Sequence, residues 1–201
     1  MSHNEINFCE RLLDVIEKDI IPLTLESVKR GNKIFGAAIL KKSDLSLVVA
    51  GTNSEIENPL FHGEVSTLNA FFKLSDSERP RASECIFLTT HEPCSLCLSA
   101  ITWAGFDNFY YFFAYEETRD AFNIPHDLKI LQQVFEIKDG NYARDNEFWS
   151  CQNIISLVKK FSLEASENSK LLCQIDTIKE NYNELSKQYQ NLKKNSQIPF
   201  N

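Results

Sequence analysis

The residues best suited to chemistry fall in two short motifs, His62-Gly63-Glu64 and Pro93-Cys94-Ser95-Leu96-Cys97. Zinc takes nitrogen and sulfur ligands tetrahedrally, and a catalytic site keeps one of its four positions open for water. The imidazole of His62 and the thiolates of Cys94 and Cys97 would fill three positions. Since two thiolates nearly cancel the charge of the dication, Glu64 is free to handle protons. The motifs therefore predict a zinc centre with an adjacent general base.

Two other interpretations of the same residues are a redox pair and one half of a structural zinc site. A structural site needs four protein ligands, and none of the remaining candidates stands at a motif spacing. Glu64 would also have no purpose at such a site, so the catalytic interpretation is preferred. The remaining candidates are His3, His91, His126, Cys9, Cys85, Cys151 and Cys173.

The elements around the two motifs can bring them to one metal. Apolar residues at Val65, Leu68, Phe71 and Phe72 have helical spacing, which places His62 and Glu64 on a first turn. Pro93 marks the start of a second helix, so both thiolates lie at a helix N-terminus, where negative charge is favoured. A buried strand is predicted just before it, over 85–90.

The rest of the first 160 residues alternates between helical and strand patterns. A helix is predicted from about Glu5 to Gly31, with a bend near Pro22. Strands are predicted over 35–41 and 47–51, joined by a turn around Ser43 and Asp44, within the aromatic segment 106–113, and over 133–137. This alternation predicts an α/β fold with a sheet covered on both faces.

The C-terminal part has a different character. A helix containing Phe148 and Ile154 is expected to close a domain of residues 1–160, followed by a polar break over 162–169 and a helical tail within 161–201. Two interpretations of the tail stay open: a short coiled coil for self-association or partner binding, which the pattern favours, and an amphipathic helix packed on its own domain. The heptad seam comprises Leu171, Ile175, Ile178, Tyr182, Leu185, Tyr189 and Leu192.

Composition narrows the class of protein. The chain has 201 residues, 21 basic against 28 acidic, for a net charge of −7, and no basic cluster lies beside the motifs. We therefore expect a small-molecule substrate and no nucleic acid. No apolar run approaches eighteen residues, so neither a membrane span nor a signal peptide is expected. Cysteines outside the motif are scattered without a disulfide framework, which is typical of a reducing cytoplasm.

Residues 34–113 resemble the cytidine and deoxycytidylate deaminase superfamily. His62 in place of cysteine, the Phe-Gly-Ala start of a strand and the Glu-Pro-Cys string look most like guanine deaminase and the tRNA adenosine deaminases. The segments that carry the resemblance are Ile34-Phe35-Gly36-Ala37-Ala38, Gly51-Thr52-Asn53, His62-Gly63-Glu64 and Glu92-Pro93-Cys94-Ser95-Leu96-Cys97-Leu98-Ser99-Ala100-Ile101.

The resemblance implies a three-layer α/β/α cytidine deaminase-like fold with a mixed sheet of about five strands. It implies zinc-dependent hydrolytic removal of the exocyclic amine of a purine-type base or nucleoside, with release of ammonia. A homodimer is expected as well, in line with the heptad pattern of the tail. Glu64 would shuttle protons, and Asn53 and the Gly63 backbone would orient the ring. Residues expected to wall the pocket are Phe35, Phe61 and Trp103.

Two departures from the family pattern leave the substrate open. Gly63 stands where alanine is usual, and Asn123 stands near where guanine deaminase has an acid, a role that His126 or Asp127 could take. A tRNA adenosine deaminase is one alternative, and it would need a basic groove. The other is a non-catalytic protein that carries zinc for stability and binds a partner through its heptads.

Overall fold

The computed structural model describes residues 3–161, 168–193, 196 and 198–200. Its helices are α1 His3–Val15, α2 Ile21–Lys29, α3 Gly63–Phe72, α4 Ser95–Trp103, α5 Tyr115–Asp120, α6 His126–Phe135, α7 Ile154–Phe161 and α8 Asn168–Leu192. Its strands are β1 Gly36–Lys41, β2 Leu47–Thr52, β3 Cys85–His91, β4 Asn108–Phe113 and β5 Ser150–Asn153. The predicted bend in the first helix is a π-helical turn, Ile16–Ile20.

The five strands form one mixed sheet in the order β2-β1-β3-β4-β5. β1 pairs with β2 and with β3 in antiparallel fashion, whereas β3, β4 and β5 run parallel. The predicted hairpin joins β1 and β2, and its turn is held by a hydrogen bond from the Ser46 amide to the Asp44 carboxylate. The expected mixed sheet of about five strands is therefore confirmed.

Alternate residues of β1 point to opposite faces of the sheet, and each face carries its own core. Ala38 and Leu40 pack with apolar residues of α1, α2, α7 and α8, whereas Ala37 and Ile39 pack with α3 and α4. Helices thus cover both faces, as the alternating pattern predicted. The two metal-motif helices lie together on one face, where α3 contacts α4.

The prediction of a strand over 133–137 is wrong. Residues 133–135 belong to α6, and Glu136 ends that helix in a left-handed conformation, with φ of 59°. Leu128, Leu131 and Phe135 stand three and four residues apart, which is helical spacing. The fifth strand is instead the polar segment Ser150–Asn153, which pairs with β4 over its whole length. The helix expected to contain Phe148 begins only at Ile154.

The heptad seam of α8 packs against the rest of the chain. All of its members except Leu192, which is 42% exposed, are buried in the core that also contains α1, α2 and α7. This arrangement corresponds to the amphipathic-helix interpretation of the tail and leaves those six side chains unavailable to a partner. Of the predicted polar break, residues 162–167 lie outside the described residues. The domain division at residue 160 stays a prediction.

No helix in the described part of the chain combines the length and the apolar character needed to cross a bilayer.

Candidate active site

Three metal-binding side chains converge where α3 and α4 begin. His62 and Cys94 are the N-cap residues of these helices, and Cys97 lies on the first turn of α4. His62 Nδ1 lies 3.4 Å from Cys94 Sγ and 3.7 Å from Cys97 Sγ, and the two sulfur atoms are 3.6 Å apart. One nitrogen and two sulfur donors so close together are the set that zinc prefers. The residues present therefore fit the expected metal.

The metal-ligand cluster has three members, and Glu64 is not one of them. Within the described residues, the His, Cys, Asp and Glu side chains whose donor atoms all lie within 4.8 Å of one another are His62, Cys94 and Cys97. Three donors leave one of the four tetrahedral positions of zinc without a protein ligand. The cluster therefore has the composition of a catalytic zinc site, and the closed four-ligand alternative is absent from the described residues.

The three ligand side chains perturb one another's pKa values. Hydrogen bonding with Cys97, opposed by burial and assisted by His62, lowers the pKa of Cys94 well below its usual value. Burial tends to lower the pKa of His62, but hydrogen bonding to Cys94 and the Cys94 charge raise it to about 9. Burial raises the pKa of Cys97. Because zinc ligands must be deprotonated, metal binding here is expected to release protons.

Glu64 is buried beside the thiols, with 4% of its surface exposed. Its Oε1 accepts a hydrogen bond from the Thr89 hydroxyl at 3.1 Å, and its Oε2 accepts one from the Cys97 thiol at 3.2 Å. Burial, and then the charge of Cys94, raises the pKa of the Glu64 carboxyl. A carboxyl group whose pKa is raised can both accept and return a proton nearer neutral pH, as a general acid and base must.

Gly63 lets α3 approach the start of β1 closely. A Cβ atom at this position would lie 2.7 Å from the Phe35 carbonyl oxygen and 2.8 Å from the Gly36 nitrogen. The absence of a side chain therefore has a packing cause, which the sequence motif did not indicate. The Gly63 N–H belongs to the first turn of α3, where backbone donors lack an intrahelical acceptor. This position suits the predicted contact with a ring substituent.

Asn53 follows β2, but its side chain is engaged within the chain. It is fully buried, and its carboxamide donates to Glu55 Oε2 at 2.7 Å and accepts from the Glu55 amide at 3.2 Å. The predicted hydrogen bond from Asn53 to the base or its sugar stays a prediction. Glu55 in turn forms a buried ion pair with Lys33, at 2.9 Å. Sequence reasoning missed Glu55 and Lys33, because single charges in polar segments carry no motif.

The three aromatic residues expected at the pocket differ in position and in exposure to solvent. Phe35 is half-buried, and its ring meets His91 edge to face at a centroid distance of 4.8 Å. Phe61 is half-buried and directly precedes the ligand His62. The prediction for Trp103 is wrong: it is the last residue of α4 and is 91% exposed. Because Cys94 caps the opposite end of that helix, Trp103 is too far along α4 to wall the site.

Asp127, in the 123–127 segment, is influenced by the charges of the metal-ligand cluster. Burial, followed by the charge of Cys94, raises the pKa of Asp127 well above its usual value, whereas His62 opposes the shift. Asn123 is exposed and adopts a left-handed φ of 55°. The His126 ring instead faces Phe200, at a centroid distance of 5.6 Å. Asp127 is therefore a candidate for a second acid.

Glu92 fixes the loop that carries Cys94. Its carboxylate accepts hydrogen bonds from the Tyr115 amide at 3.2 Å, the Tyr142 hydroxyl at 2.8 Å and the Arg144 guanidinium at 2.7 Å. The Tyr115 hydroxyl donates to the Pro93 carbonyl. Tyr142 and Arg144 follow α6 in a segment without a recognisable motif, so the sequence indicated only Glu92.

Comparison with known proteins gives a family match over just under half of the chain. Residues 18–113 match the family described as the cytidine and deoxycytidylate deaminase zinc-binding region. Guanine deaminase of Bacillus subtilis (strain 168) is 33% identical over 90 residues, which cover 43% of this chain and 55% of that protein. The chain thus spans just over half the length of this curated relative.

Solved structures give a weaker likeness. The structure of guanine deaminase from Bacillus subtilis is 23% identical, covering 83% of this chain and 97% of that one, with a TM-score of 0.49. Guanine deaminase from Nitrosomonas europaea is 14% identical, covering 72% and 81%, with a TM-score of 0.45. These values are too low to support an argument by themselves. The motifs, the mixed α/β sheet and the ligand cluster agree with the match of residues 18–113 to the cytidine and deoxycytidylate deaminase zinc-binding region.

Proposed function

We propose that the protein is a zinc-dependent hydrolytic deaminase that removes the exocyclic amine of a purine-type base or nucleoside and releases ammonia. The observation that carries the proposal is the three-member cluster of His62, Cys94 and Cys97 with the buried carboxyl group of Glu64 beside it but outside it. A non-catalytic zinc protein would have no chemical use for a buried acid at this point. The acid therefore favours an enzyme over a scaffold.

Side chains of this protein carry out the proton transfers. Zinc bound by the three ligands would supply Lewis acidity, which makes water reactive near neutral pH. Glu64 takes a proton from the water that adds to the ring carbon, and delivers it to the adjacent ring nitrogen. The proton of the added hydroxyl group then passes, by way of Glu64, to the exocyclic amine, the carbon–nitrogen bond breaks, and ammonia leaves as the carbonyl forms. Asp127, whose pKa is raised by burial and by the charge of Cys94, is proposed as a second acid that takes part in this transfer.

The substrate class rests on the resemblance to guanine deaminase, the activity named for the Bacillus subtilis relative. Charge supports a small molecule, because a chain with a net charge of −7 gains little from neutralising phosphates. Phe35 and Phe61 stay proposed pocket residues, and the Gly63 amide stays a proposed ring contact. Asn53 is proposed to act through Glu55.

We also propose an oligomeric state and a cellular location for the protein. A homodimer is supported by exposed apolar side chains on α3 and α4, since Phe72 is 49% exposed, Leu96 37% and Trp103 91%. A reducing, cytoplasmic location is supported by six cysteines that are all free thiols. A role in purine metabolism would follow from the substrate.

The experiment is ammonia release from a panel of amino-purines, amino-pyrimidines and pterins by the zinc-loaded protein. Glu64→Gln should keep its zinc and lose activity by about 10²- to 10⁴-fold, because a proton-transfer group is removed. Glu57→Gln, an exposed neighbour on the loop before α3, is the matched control and should keep full activity. Near-normal turnover by Glu64→Gln, or no ammonia from any compound, would contradict the proposal.

A further inference from the structure

A buried ion pair stands behind the metal histidine. Lys33 Nζ lies 2.9 Å from Glu55 Oε1, and the two side chains are only 7% and 3% exposed. Removing two charges from water is costly, so a buried pair is weak evidence for a stabilising role. Folding stability therefore gives no sufficient reason for charges at these two positions.

The carboxylate of Glu55 is held in one orientation. Its Oε2 accepts a hydrogen bond from the Asn53 carboxamide at 2.7 Å, while its Oε1 faces Lys33. Asn53 is fixed in turn, because the Ser27 hydroxyl donates to the Asn53 carbonyl at 2.5 Å. The side-chain amide of Asn32 donates a hydrogen bond to the same Ser27 hydroxyl at 3.0 Å. This network joins the end of α2, the loop between α2 and β1, and the loop after β2.

His62 is a further neighbour of Glu55. Nδ1 of the imidazole faces the two sulfur atoms, so the other ring nitrogen, Nε2, points away from the cluster and lies 3.7 Å from Glu55 Oε1. A neutral imidazole can offer the Nδ1 lone pair to a metal only in the tautomer that carries its proton on Nε2. Glu55 is therefore adjacent to the nitrogen that must hold the proton.

We infer that Glu55 is a positioning residue for His62, and that Lys33 and Asn53 hold Glu55 in place. The carboxylate favours the Nε2–H tautomer and fixes the plane of the ring, so that Nδ1 is presented to the metal before it binds. Lys33 supplies the counter-charge without which Glu55 would be an isolated buried carboxylate. The inference rests on the zinc centre of the proposed function and is independent of which amine is removed.

The test measures zinc affinity and stability separately, in the full chain under reducing conditions. The variants are Glu55→Gln, Lys33→Met and the double variant, with Glu57→Gln as the exposed control. Zinc affinity is measured by competition with a chromogenic chelator, and stability by urea unfolding of the metal-free protein. The His62 tautomer is read from its ¹⁵N chemical shifts in the zinc-loaded protein.

Each single variant should lose stability, because it leaves one buried charge without its partner, and the double variant should recover it. Zinc affinity should fall by about 10- to 100-fold in Glu55→Gln and stay low in the double variant, since the carboxylate beside Nε2 is absent from both. Glu57→Gln should match the unmodified protein in both measurements.

A double variant that regains stability and binds zinc as tightly as the unmodified protein would overturn the inference, because the pair would then be purely structural. A His62 ring carrying its proton on Nδ1 in the zinc-loaded protein would also overturn it. A protein that binds zinc with this dependence on Glu55 but deaminates no compound in the panel would leave the inference intact and remove only the proposed activity.

Discussion

His91 is a fully buried histidine that the proposed chemistry does not use. It ends β3 at 1% exposure, and its Nδ1 lies 3.0 Å from the Thr90 hydroxyl. Its Nε2 has no hydrogen-bond partner among the residues that the structure describes. Burial lowers the pKa of His91 to about 3. Four aromatic rings surround it, those of Phe35, Phe113, Phe122 and Tyr182.

This burial predicts an acid-sensitive contribution to stability. Between pH about 6.5, the ordinary histidine pKa, and pH about 3, the unfolded chain binds a proton at His91 that the folded chain does not. The free energy of unfolding should therefore decrease as pH falls through this window, by about 1.4 kcal/mol per pH unit at most. Urea unfolding at pH 7, 6, 5 and 4 measures it.

His91→Leu is the comparison that isolates the effect, because every other titrating group is common to both proteins. The difference in unfolding free energy between the two proteins should shift in favour of the leucine variant as pH falls below 6.5. Parallel pH profiles for the two proteins would show that His91 titrates normally, contrary to the expectation.

The functional residues that could be predicted from the sequence are those whose partners lie within a few positions. His62 and Glu64, or Cys94 and Cys97, share one helical turn, so their spacing carries chemical meaning. Lys33 and Glu55 meet only because the β1–β2 hairpin brings their segments together, 22 positions apart. No local sequence pattern predicts the contact between Lys33 and Glu55. Trp103 lies only six positions after Cys97, but it stands at the other end of α4 and is exposed, so closeness in sequence does not place it at the site.

Among the elements, α8 shows why a heptad pattern does not identify its partner. Residues spaced alternately three and four apart form one apolar face on any helix, and that face can pack on a second helix or on the chain's own core. Here Ile178 and Tyr182 are fully buried in the core shared with α1 and α2. The periodicity predicted the helix and its buried face, whereas the identity of the covering surface depends on the tertiary fold.

The intrachain packing of α8 predicts a large effect of truncating one seam residue. Ile178→Ala should lower the free energy of unfolding by about 2–5 kcal/mol, because it leaves a cavity in a closed core. Leu172→Ala, on the same helix but 37% exposed, is the control and should change it by less than about 1 kcal/mol. Thermal unfolding of both variants provides the measurement.

If α8 were instead an intermolecular coiled coil, Ile178→Ala would alter the assembly state, and its unfolding midpoint would depend strongly on protein concentration. Sedimentation velocity at two concentrations should show the same species for Ile178→Ala and the unmodified protein. A shift to a smaller species on this substitution would contradict intrachain packing.

The error over residues 133–137 has the same origin at the level of elements. A short apolar run fits a strand or a helix equally well until its neighbours are known. The true edge strand, β5, contains Ser150, Gln152 and Asn153 and has no strand signal of its own. Its pairing with β4 makes it a strand.

For the molecule as a whole, the charge balance separates the proposed small-molecule enzyme from an RNA-editing one. Filter binding of transfer RNA at low salt should show no retention at micromolar protein, because there is little cation release to drive association at a net charge of −7. A basic RNA-binding protein of similar size serves as the positive control. Tight retention that weakens steeply with added salt would favour the tRNA adenosine deaminase alternative.

The two tryptophans of the chain stand in opposite environments, and this gives the molecule an intrinsic optical probe. Trp103 is 91% exposed, whereas Trp149 is 8% exposed and its indole N–H donates to the Thr102 hydroxyl at 2.8 Å. A water-soluble quencher such as iodide will therefore quench the fluorescence of Trp103 first. The emission that survives comes from Trp149, which packs against Phe109 of β4, so its colour and intensity follow the integrity of the parallel side of the sheet without any added label.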